Sequence, residues 1–204
     1  MNRKTHWENI YTDQSPLAVS WFQKEPQLSL QLITNTGLST EAAIIDIGGG
    51  ASVLIDHLFE RGFRHLAVLD ISGVALSHAK QRLGSTAEQI EWFETDVTTF
   101  MAPHPFDIWH DRAVFHFLTE AADRKRYVET LKQTLKPGGH LILAAFAIGG
   151  PTRCSGLDIV QYDADKLGRE LGEDFTLVEQ VSEIHVTPSN QEQLFGYFRF
   201  IMRP

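Results

Sequence analysis

Short apolar runs alternate with helix-length segments through the middle of the chain. The runs at residues 42–47, 65–70, 89–94, 106–110 and 141–146 have the length and composition of strands. Helices are predicted at 52–61, before Gly62, at 74–83, before Gly84, and after the fourth strand, with an end at Pro137 to Gly139. Strands that alternate with helices are joined by crossover connections, so we predict a parallel sheet with helices on both faces.

The last third of the chain changes character. Residues 165–171 predict a short helix, whereas residues 175–186 and 195–202 are β-rich runs with no helix between them. Two such runs pair antiparallel at one edge of a sheet. We therefore predict an α/β fold with a Rossmann-like, doubly wound sheet of seven strands, mostly parallel and with an antiparallel C-terminal hairpin.

The N-terminal segment has aromatic residues but no sustained period. Trp7, Tyr11, Trp21 and Phe22 are interleaved with polar residues, so we expect an arm, followed by a helix over residues 27–36. Aromatic residues in an arm anchor it by burial; alternatively, Trp21 and Phe22 form a lid over a ligand pocket.

Composition narrows the classes of partner. A chain of 204 residues with 43% hydrophobic residues fits one domain with one sizeable core. A formal net charge of -8, with no basic run longer than residues 124–126, argues against nucleic-acid binding. Cys154 is the only cysteine, which excludes an intramolecular disulfide and a cysteine-based zinc pattern. Since the sequence also lacks a signal-peptide core and an apolar run near the ~20 residues of a membrane helix, we expect a cytoplasmic protein without membrane partners.

A glycine-rich turn follows the first predicted strand. Gly48, Gly49 and Gly50 lie between that strand and a predicted helix N-terminus, where free N–H groups favour the acceptor atoms of a ligand. The dinucleotide-binding fingerprint has a further glycine where this chain has Val53. The turn alone is therefore compatible with a nucleotide-type pocket or with a tight connection.

Acidic residues follow three further strands. Asp70 ends the second strand, about twenty residues after the glycines, where a carboxylate accepts both hydroxyls of a ribose. Asp96 follows the third strand and Asp111 the fourth. Each could instead cap a helix, although Ser72 and Thr119 are the caps that we predict first. In an open parallel sheet a ligand lies beyond the carboxyl ends of the strands, so we expect these carboxylates near the glycine turn.

With this combination of glycine turn and strand-end carboxylates, the sequence resembles the class I S-adenosylmethionine-dependent methyltransferases. The resemblance covers residues 42–146 and the C-terminal hairpin, and its most specific segments are 45–50, 68–72, 106–111 and 135–139. It implies S-adenosylmethionine as cofactor and S-adenosylhomocysteine as product. It divides the single domain into an N-terminal arm and helix (1–40), a cofactor-binding core (41–147) and a substrate-side part (148–204).

The resemblance also implies roles for single residues. Gly48 and Gly50 would face the methionine part of the cofactor, Asp70 the ribose, Asp96 and Val97 the adenine, and Asp111 the mouth of the substrate pocket. Asp46 would orient the loop or reach the amino group through water, and Ser52 stands where the family pattern has a glycine. The implied cofactor-binding residues are Asp46, Gly48, Gly49, Gly50, Ser52, Asp70, Ile71, Asp96, Val97 and Asp111.

Two narrower resemblances bear on the methyl acceptor. Residues 109–118, with Asp123, Arg124 and Tyr127, resemble the thiopurine and tellurite methyltransferases, which favours a small-molecule acceptor. The arm, with His6 to Glu8, is similar to that group and also to methyltransferases that act on protein lysines. A protein-lysine methyltransferase and a non-catalytic cofactor-binding module are therefore kept as alternatives, and the expected state is a monomer or a homodimer.

Candidate catalytic residues lie near the end of the fourth strand. We expect His110, Asp111 and Arg112 to serve the reaction, which requires no metal, and His116 and His185 are further candidate bases. Arg112 either holds an anionic substrate or forms an ion pair with an acid such as Glu120. The expected substrate pocket comprises Trp21, Phe22, His116 and Cys154. His116 is alternatively a core residue, and we interpret Cys154 as pocket lining rather than a nucleophile.

Overall fold

The computed structural model describes residues 2–204, and its centre is a seven-stranded sheet. The strands of this sheet are β1 (Ile44–Ile47), β2 (Leu66–Asp70), β3 (Glu91–Glu94), β4 (Phe106–Arg112), β5 (Leu135–Phe146), β8 (Phe175–Val186) and β9 (Glu192–Met202), and a separate two-stranded sheet holds β6 (Arg153–Cys154) and β7 (Leu157–Asp158). The α-helices are α1 (Arg3–Asp13), α2 (Gln27–Thr34), α3 (Leu54–Glu60), α4 (Gly73–Leu83), α5 (Ala121–Thr134) and α6 (Ala164–Leu171).

The strand order in the large sheet is β3-β2-β1-β4-β5-β9-β8. Strands β1 to β5 are parallel, and β9 pairs antiparallel with both β5 and β8. The predicted seven-stranded doubly wound fold and its C-terminal hairpin are confirmed. The strand order reverses between β1 and β4, the position where open α/β sheets bind ligands.

The core lies on both faces of the sheet, because alternate residues of the central strands point to opposite sides. In β1, Ile44 packs in one apolar cluster with residues of α2 and α3, whereas Ile45 and Ile47 pack in the other with residues of α5 and α6. Every residue of β1 and β2 is buried. Two-sided burial explains why these strands read as continuous apolar runs rather than as alternating ones.

Several local predictions were wrong. Residues 3–13 form helix α1 rather than an irregular arm; the side chain of Asn2 caps it, and within it only Tyr11 is buried, so it has no apolar stripe to signal a helix. Helix α5 ends at Thr134, before Pro137 to Gly139, because β5 begins at Leu135 and the residue before a proline favours extended backbone. The cap of α5 is at Glu120, not Thr119, whereas Ser72 caps α4 as predicted.

A short hairpin follows β5. The β6–β7 hairpin lies between residues 146 and 165, where no strand was predicted. No helix in the described part of the chain is both long and apolar enough to span a membrane.

Candidate active site

The glycine turn is packed against side chains of neighbouring strand ends. Gly48 has a φ of +66°, and a Cβ there would overlap Val114. A Cβ on Gly49 would meet the carboxylate of Asp46, and one on Gly50 would meet that of Asp70. Glycines at these positions therefore let two carboxylates approach the main chain directly.

Asp70 ends β2 beside this turn and is 5% exposed. Its Oδ1 accepts a hydrogen bond from the backbone N–H of Ser72 at 2.8 Å. Burial raises the pKa of Asp70 to about 7, and the nearby Asp46 carboxylate adds to the rise, against the hydrogen bonds from the N–H groups of Ser72 and Gly50.

A cavity of about 360 Å³, the main cavity, opens at these strand ends. Of the predicted site residues, those that line it are Gly48, Asp70, Ile71, Asp96, Val97, Arg112, Trp21 and Cys154. Residues that the sequence analysis did not place in the site also line it, among them Arg3, Trp7, Tyr11, Leu69, Thr95, Phe117, Phe146, Leu157, Asp158 and Phe195. Most of these come from α1, from β9 or from the loop and hairpin after β5, where no local motif marks them.

A smaller cavity of about 50 Å³ adjoins the glycine turn. Its walls include the predicted residues Asp46, Gly49, Ser52, His110 and Phe22. Tyr11, Trp21, Gly48 and Arg112 line both cavities, so the two lie next to each other. Gly50 lines neither, since it lies against Asp70 and Ala75.

His110 and Asp111 do not line the main cavity, contrary to the roles expected for them. Nδ1 of His110 lies 2.6 Å from Oδ1 of Asp46, and its Nε2 lies 2.8 Å from Oγ of Ser29. Both ring nitrogens are therefore engaged. His110 is turned to the face of the sheet that α2 covers.

Asp111 is fully buried and stabilises the turn after β4. Its carboxylate accepts hydrogen bonds from the N–H groups of Val114 and Phe115 and from the hydroxyl of Tyr127, at 2.9, 3.1 and 2.6 Å. Burial raises the pKa of Asp111 to about 6, against these hydrogen bonds. Asp111 therefore fixes the turn after β4, which lines the cavity, and does not lie at the mouth of the substrate pocket as expected.

Arg112 lies at the end of β4 and faces both cavities. Its Nε donates to the hydroxyl of Tyr197 at 2.8 Å, its Nη1 donates to the carbonyl of Trp21 at 2.9 Å, and the guanidinium lies 4.7 Å from the ring centroid of Phe195. The acid near it is Glu183, 3.9 Å from Nη2, not the expected Glu120. Nη2 is buried and has no hydrogen-bond partner among residues 2–204.

His116 and Cys154 differ in their access to the main cavity. His116 is fully buried, stacks on Phe146 at 4.8 Å between ring centroids, and does not line the cavity, so it is a core residue. Burial lowers the pKa of His116 to about 3, which keeps the ring neutral. Cys154 does line the cavity, and burial raises the pKa of its thiol. His185 is also occupied, because its Nε2 lies 2.8 Å from the carbonyl oxygen of Ser20.

Helix α1 closes one side of the main cavity. Glu8 accepts hydrogen bonds from Oγ of Ser72 and from the N–H groups of Gly73 and Val74, at the N-terminus of α4. Trp7 packs edge-to-face against Trp21 and Phe117, at centroid distances of 5.8 and 4.9 Å. The spacing of Trp7 and Tyr11, four residues apart, is the one sequence signal that agrees with a helix here.

Asp96, which the resemblance assigns to the adenine, also contacts helix α1. It caps the short 3-10 turn Val97–Thr99 through its Oδ1, and its Oδ2 lies 3.4 Å from Nη1 of Arg3. Gly48, Asp70 and Asp96, far apart in sequence, thus line one cavity.

Comparison with known proteins gives a consistent result. A family model described as a methyltransferase domain matches residues 45–141. The chain is 25% identical over 162 residues to EEF1A lysine methyltransferase 2 from Danio rerio, which covers 71% of this chain and 69% of the relative. It is 28% identical over 104 residues to nodulation protein S from Rhizobium tropici, which covers 51% of this chain and 43% of the relative.

Solved structures share the fold over nearly the whole chain. A structure described in connection with the conversion of a disulfide bond into a thioacetal group during echinomycin biosynthesis superposes with a TM-score of 0.81 at 16% identity, covering 99% of this chain and 92% of that one. The N-methyltransferase NodS from Bradyrhizobium japonicum WM9, in complex with S-adenosyl-l-homocysteine, gives a TM-score of 0.68 at 22% identity, with coverage of 89% and 90%. At these identities the likeness shows the fold.

Proposed function

We propose that this chain is a class I S-adenosylmethionine-dependent methyltransferase, as its methyltransferase-domain match over residues 45–141 supports, and that it methylates a nitrogen or sulfur atom of a small molecule. The observation that carries the proposal is that one cavity joins the glycine turn and strand-end carboxylates to an apolar, largely aromatic wall. Its volume of about 360 Å³ lies near the lower end of the range of roughly 300 to 1,000 Å³ that ligand pockets occupy. A cavity near this lower end favours a small acceptor over a bulky one.

The residues present fit the cofactor. A Cβ on Gly50 would overlap the carboxylate of Asp70, so the glycine keeps that carboxylate directly beside the turn, where a ligand of the main cavity can meet it. Asp70 would accept the ribose hydroxyls, Asp96 and Val97 would meet the adenine, and Gly48 would face the methionine part. When bound, S-adenosylmethionine supplies a methyl group on a positively charged sulfur, which leaves as a neutral thioether when a nucleophile attacks the methyl carbon.

The engagement of the expected bases favours an acceptor that is nucleophilic without help. Both nitrogens of His110 and both oxygens of Asp111 have hydrogen-bond partners, and His116 is neutral in the core. A thiol ionises near pH ~8.5, and a neutral amine carries its own lone pair, whereas an alcohol requires a positioned base. The proton of a methylated amine passes to solvent.

The protein then contributes position and exclusion of water. The aromatic wall of the main cavity would hold an apolar acceptor beside the cofactor; it is formed by Trp7, Trp21, Phe117, Phe146 and Phe195. Orientation in a closed site contributes roughly 7 to 11 kcal/mol when the reacting atoms are well aligned.

A turnover assay tests the proposal. Cofactor consumption is measured with matched panels of small thiols, amines and alcohols, and Asp70→Ala serves as the control that lacks the ribose ligand. We expect turnover with members of the thiol or amine panel, and alcohols slower by about 100-fold because no base assists them. Equal rates with alcohols would contradict the nitrogen or sulfur assignment, and bound cofactor without turnover would favour the non-catalytic binding module.

A protein-lysine acceptor is the second candidate, supported by the likeness to EEF1A lysine methyltransferase 2. The formal net charge of -8 would attract a basic target. Labelled cofactor incubated with enzyme and whole lysate, followed by separation by size, distinguishes the two. Label confined to small solutes supports the small-molecule acceptor, and label in the macromolecular fraction supports lysine.

A further inference from the structure

Glu183, on β8, lies beside the guanidinium of Arg112. Its Oε2 is 3.9 Å from Nη2 of Arg112 and accepts a hydrogen bond from the hydroxyl of Tyr197 at 3.0 Å. That hydroxyl in turn accepts a hydrogen bond from Nε of Arg112 at 2.8 Å. The other oxygen of Glu183, Oε1, accepts a hydrogen bond from Nε2 of Gln23 at 3.0 Å. Both carboxylate oxygens therefore have partners, and Arg112 has a counter-ion.

The position of this ion pair gives it influence over the charge of the main cavity. Arg112 lines both cavities, whereas Glu183 lines neither. The side chains of Arg112 and Glu183 are only 10% and 20% exposed, so their charges are screened less than those of surface groups. An unbalanced guanidinium in the wall would attract an anionic ligand, because its donors match the geometry of a carboxylate. With Glu183 beside it, the pair contributes no net charge to the cavity.

The rest of the main cavity offers no unbalanced cation among residues 2–204. Its other basic lining residue, Arg3, pairs with Asp96 at 3.4 Å. Asp158, at the exposed rim, pairs with Arg153 at 3.1 Å. The lining from β5, β9 and the β6–β7 hairpin is otherwise uncharged and consists of Phe146, Phe195, Cys154 and Leu157. The charge that an acceptor meets from Arg112 therefore depends on Glu183.

We propose that Glu183 is a specificity-determining residue, which neutralises Arg112 and so makes the main cavity select methyl acceptors without a negative charge. The inference rests on the proposed function and deepens it, because it names the charge class of the acceptor. Glu183 acts through Arg112 and does not touch the acceptor, so it affects selection rather than the methyl transfer itself. Removing its charge leaves a cation without a counter-ion in the wall, which favours anionic acceptors.

The same group of contacts also holds residues 20–23 against the sheet. Nη1 of Arg112 donates to the carbonyl of Trp21 at 2.9 Å, Gln23 donates to Glu183, and Nε2 of His185 lies 2.8 Å from the carbonyl oxygen of Ser20. Trp21 lines the main cavity, so its placement matters for every acceptor. A substitution that loosened this segment would weaken all acceptors alike, whereas a change in charge separates anionic acceptors from neutral ones.

Pairs of acceptors that differ only in a carboxylate test the inference. Suitable pairs are benzyl mercaptan with its para-carboxylate, and pyridine with nicotinate; if another acceptor reacts faster, it and its carboxylated analogue replace them. The value of kcat/KM is measured at saturating S-adenosylmethionine, and the anionic-to-neutral ratio is compared between variants, which cancels intrinsic reactivity. Glu183→Gln should raise this ratio by about tenfold through a lower KM for the anionic acceptor, with kcat/KM for the neutral acceptor unchanged within about twofold.

Two further variants control for charge and for place. Glu179 also lies on β8 and pairs with an arginine, Arg199, at 2.9 Å, but neither residue lines a cavity. Glu179→Gln should therefore keep the wild-type ratio within about twofold. Glu183→Asp retains the negative charge and should keep the wild-type ratio even where its rates fall.

The outcomes separate this inference from the function on which it rests. The inference alone is overturned by an unchanged ratio in Glu183→Gln, by an equal change for both members of a pair, or by the same increase in Glu179→Gln or Glu183→Asp. A wild type that consumes no cofactor with any thiol or amine overturns the proposed function and this inference with it.

Discussion

At the scale of single residues, carboxylates with similar sequence contexts have different tasks that only the structure separates. Asp70 lines the main cavity, whereas the oxygens of Asp111 accept hydrogen bonds from the backbone of the turn after β4. One oxygen of Asp46 is bonded to His110, and the other has no hydrogen-bond partner in the described part of the chain. Position at the end of a strand thus predicts where a carboxylate lies but not whether its oxygens are available.

The pKa of Asp70 predicts a pH dependence of cofactor binding. Burial raises this pKa to about 7. In the proposed function the ionised carboxylate would accept hydrogen bonds from both ribose hydroxyls, whereas the protonated form would lose one acceptor. Binding therefore favours the ionised form and releases a proton. We expect the affinity for S-adenosylhomocysteine to rise by up to about tenfold from pH 6 to pH 8.

Calorimetry in buffers of different ionisation enthalpy measures this proton release. Asp70→Asn should bind weakly at every pH and show no release between pH 6 and 8. An affinity that falls as the pH rises, or a release that persists in Asp70→Asn, would assign the proton to another group.

At the scale of elements, the parts that the sequence predicts are those whose pattern is local. The apolar runs of β1, β2 and β5 are buried on both faces, and Gly62 and Gly84 follow helices α3 and α4. The bounds of β1 and β2 were predicted to within a few residues. Helix α1 was missed because it packs through isolated side chains onto a distant part of the chain. The β6–β7 hairpin is too short to produce a period.

The same distinction holds for the candidate site. Gly48, Asp70 and Asp96 were located because they end strands or follow them. Phe195 and Trp7 were not predicted to line the cavity, since β9 and α1 reach it only through long-range packing. The partners of His110 and Arg112 come from α2, the N-terminal segment and β9, and no local motif encodes them.

The contact between α1 and α4 predicts the effect of a single substitution. Glu8 accepts three hydrogen bonds at the N-terminus of α4, where a carboxylate also interacts favourably with the helix dipole. We expect Glu8→Ala to lower the free energy of unfolding by about 1 kcal/mol and to speed backbone hydrogen exchange in residues 3–13. Chemical denaturation and exchange mass spectrometry measure the two effects.

A matched control is available on α5. Glu129 is exposed and, within residues 2–204, pairs only with Lys125, 3.9 Å away. Glu129→Ala should therefore change stability by less than about 0.5 kcal/mol and leave exchange in α1 unchanged. If Glu8→Ala behaves like this control, Glu8 does not hold α1 in place.

At the scale of the whole molecule, the main cavity is the place where remote parts of the chain meet. Its wall draws on α1, the ends of β2 and β4, the turn after β4, the β6–β7 hairpin and β9. A ligand there contacts groups that span most of the sequence. Binding therefore stabilises the global fold rather than one loop.

This coupling predicts a thermal shift of known size. A ligand that binds only the folded state adds about 2.7 kcal/mol to its stability at a concentration one hundred times Kd. For a domain of this length each kcal/mol raises Tm by about 2 to 4 °C, so S-adenosylhomocysteine at that concentration should raise Tm by roughly 5 to 11 °C. Scanning calorimetry measures the shift, and Asp70→Ala at the same ligand concentration should show little of it, because its Kd is far higher. A full shift in Asp70→Ala would mean that binding does not depend on this carboxylate, which would contradict a ligand position beside the glycine turn in the main cavity.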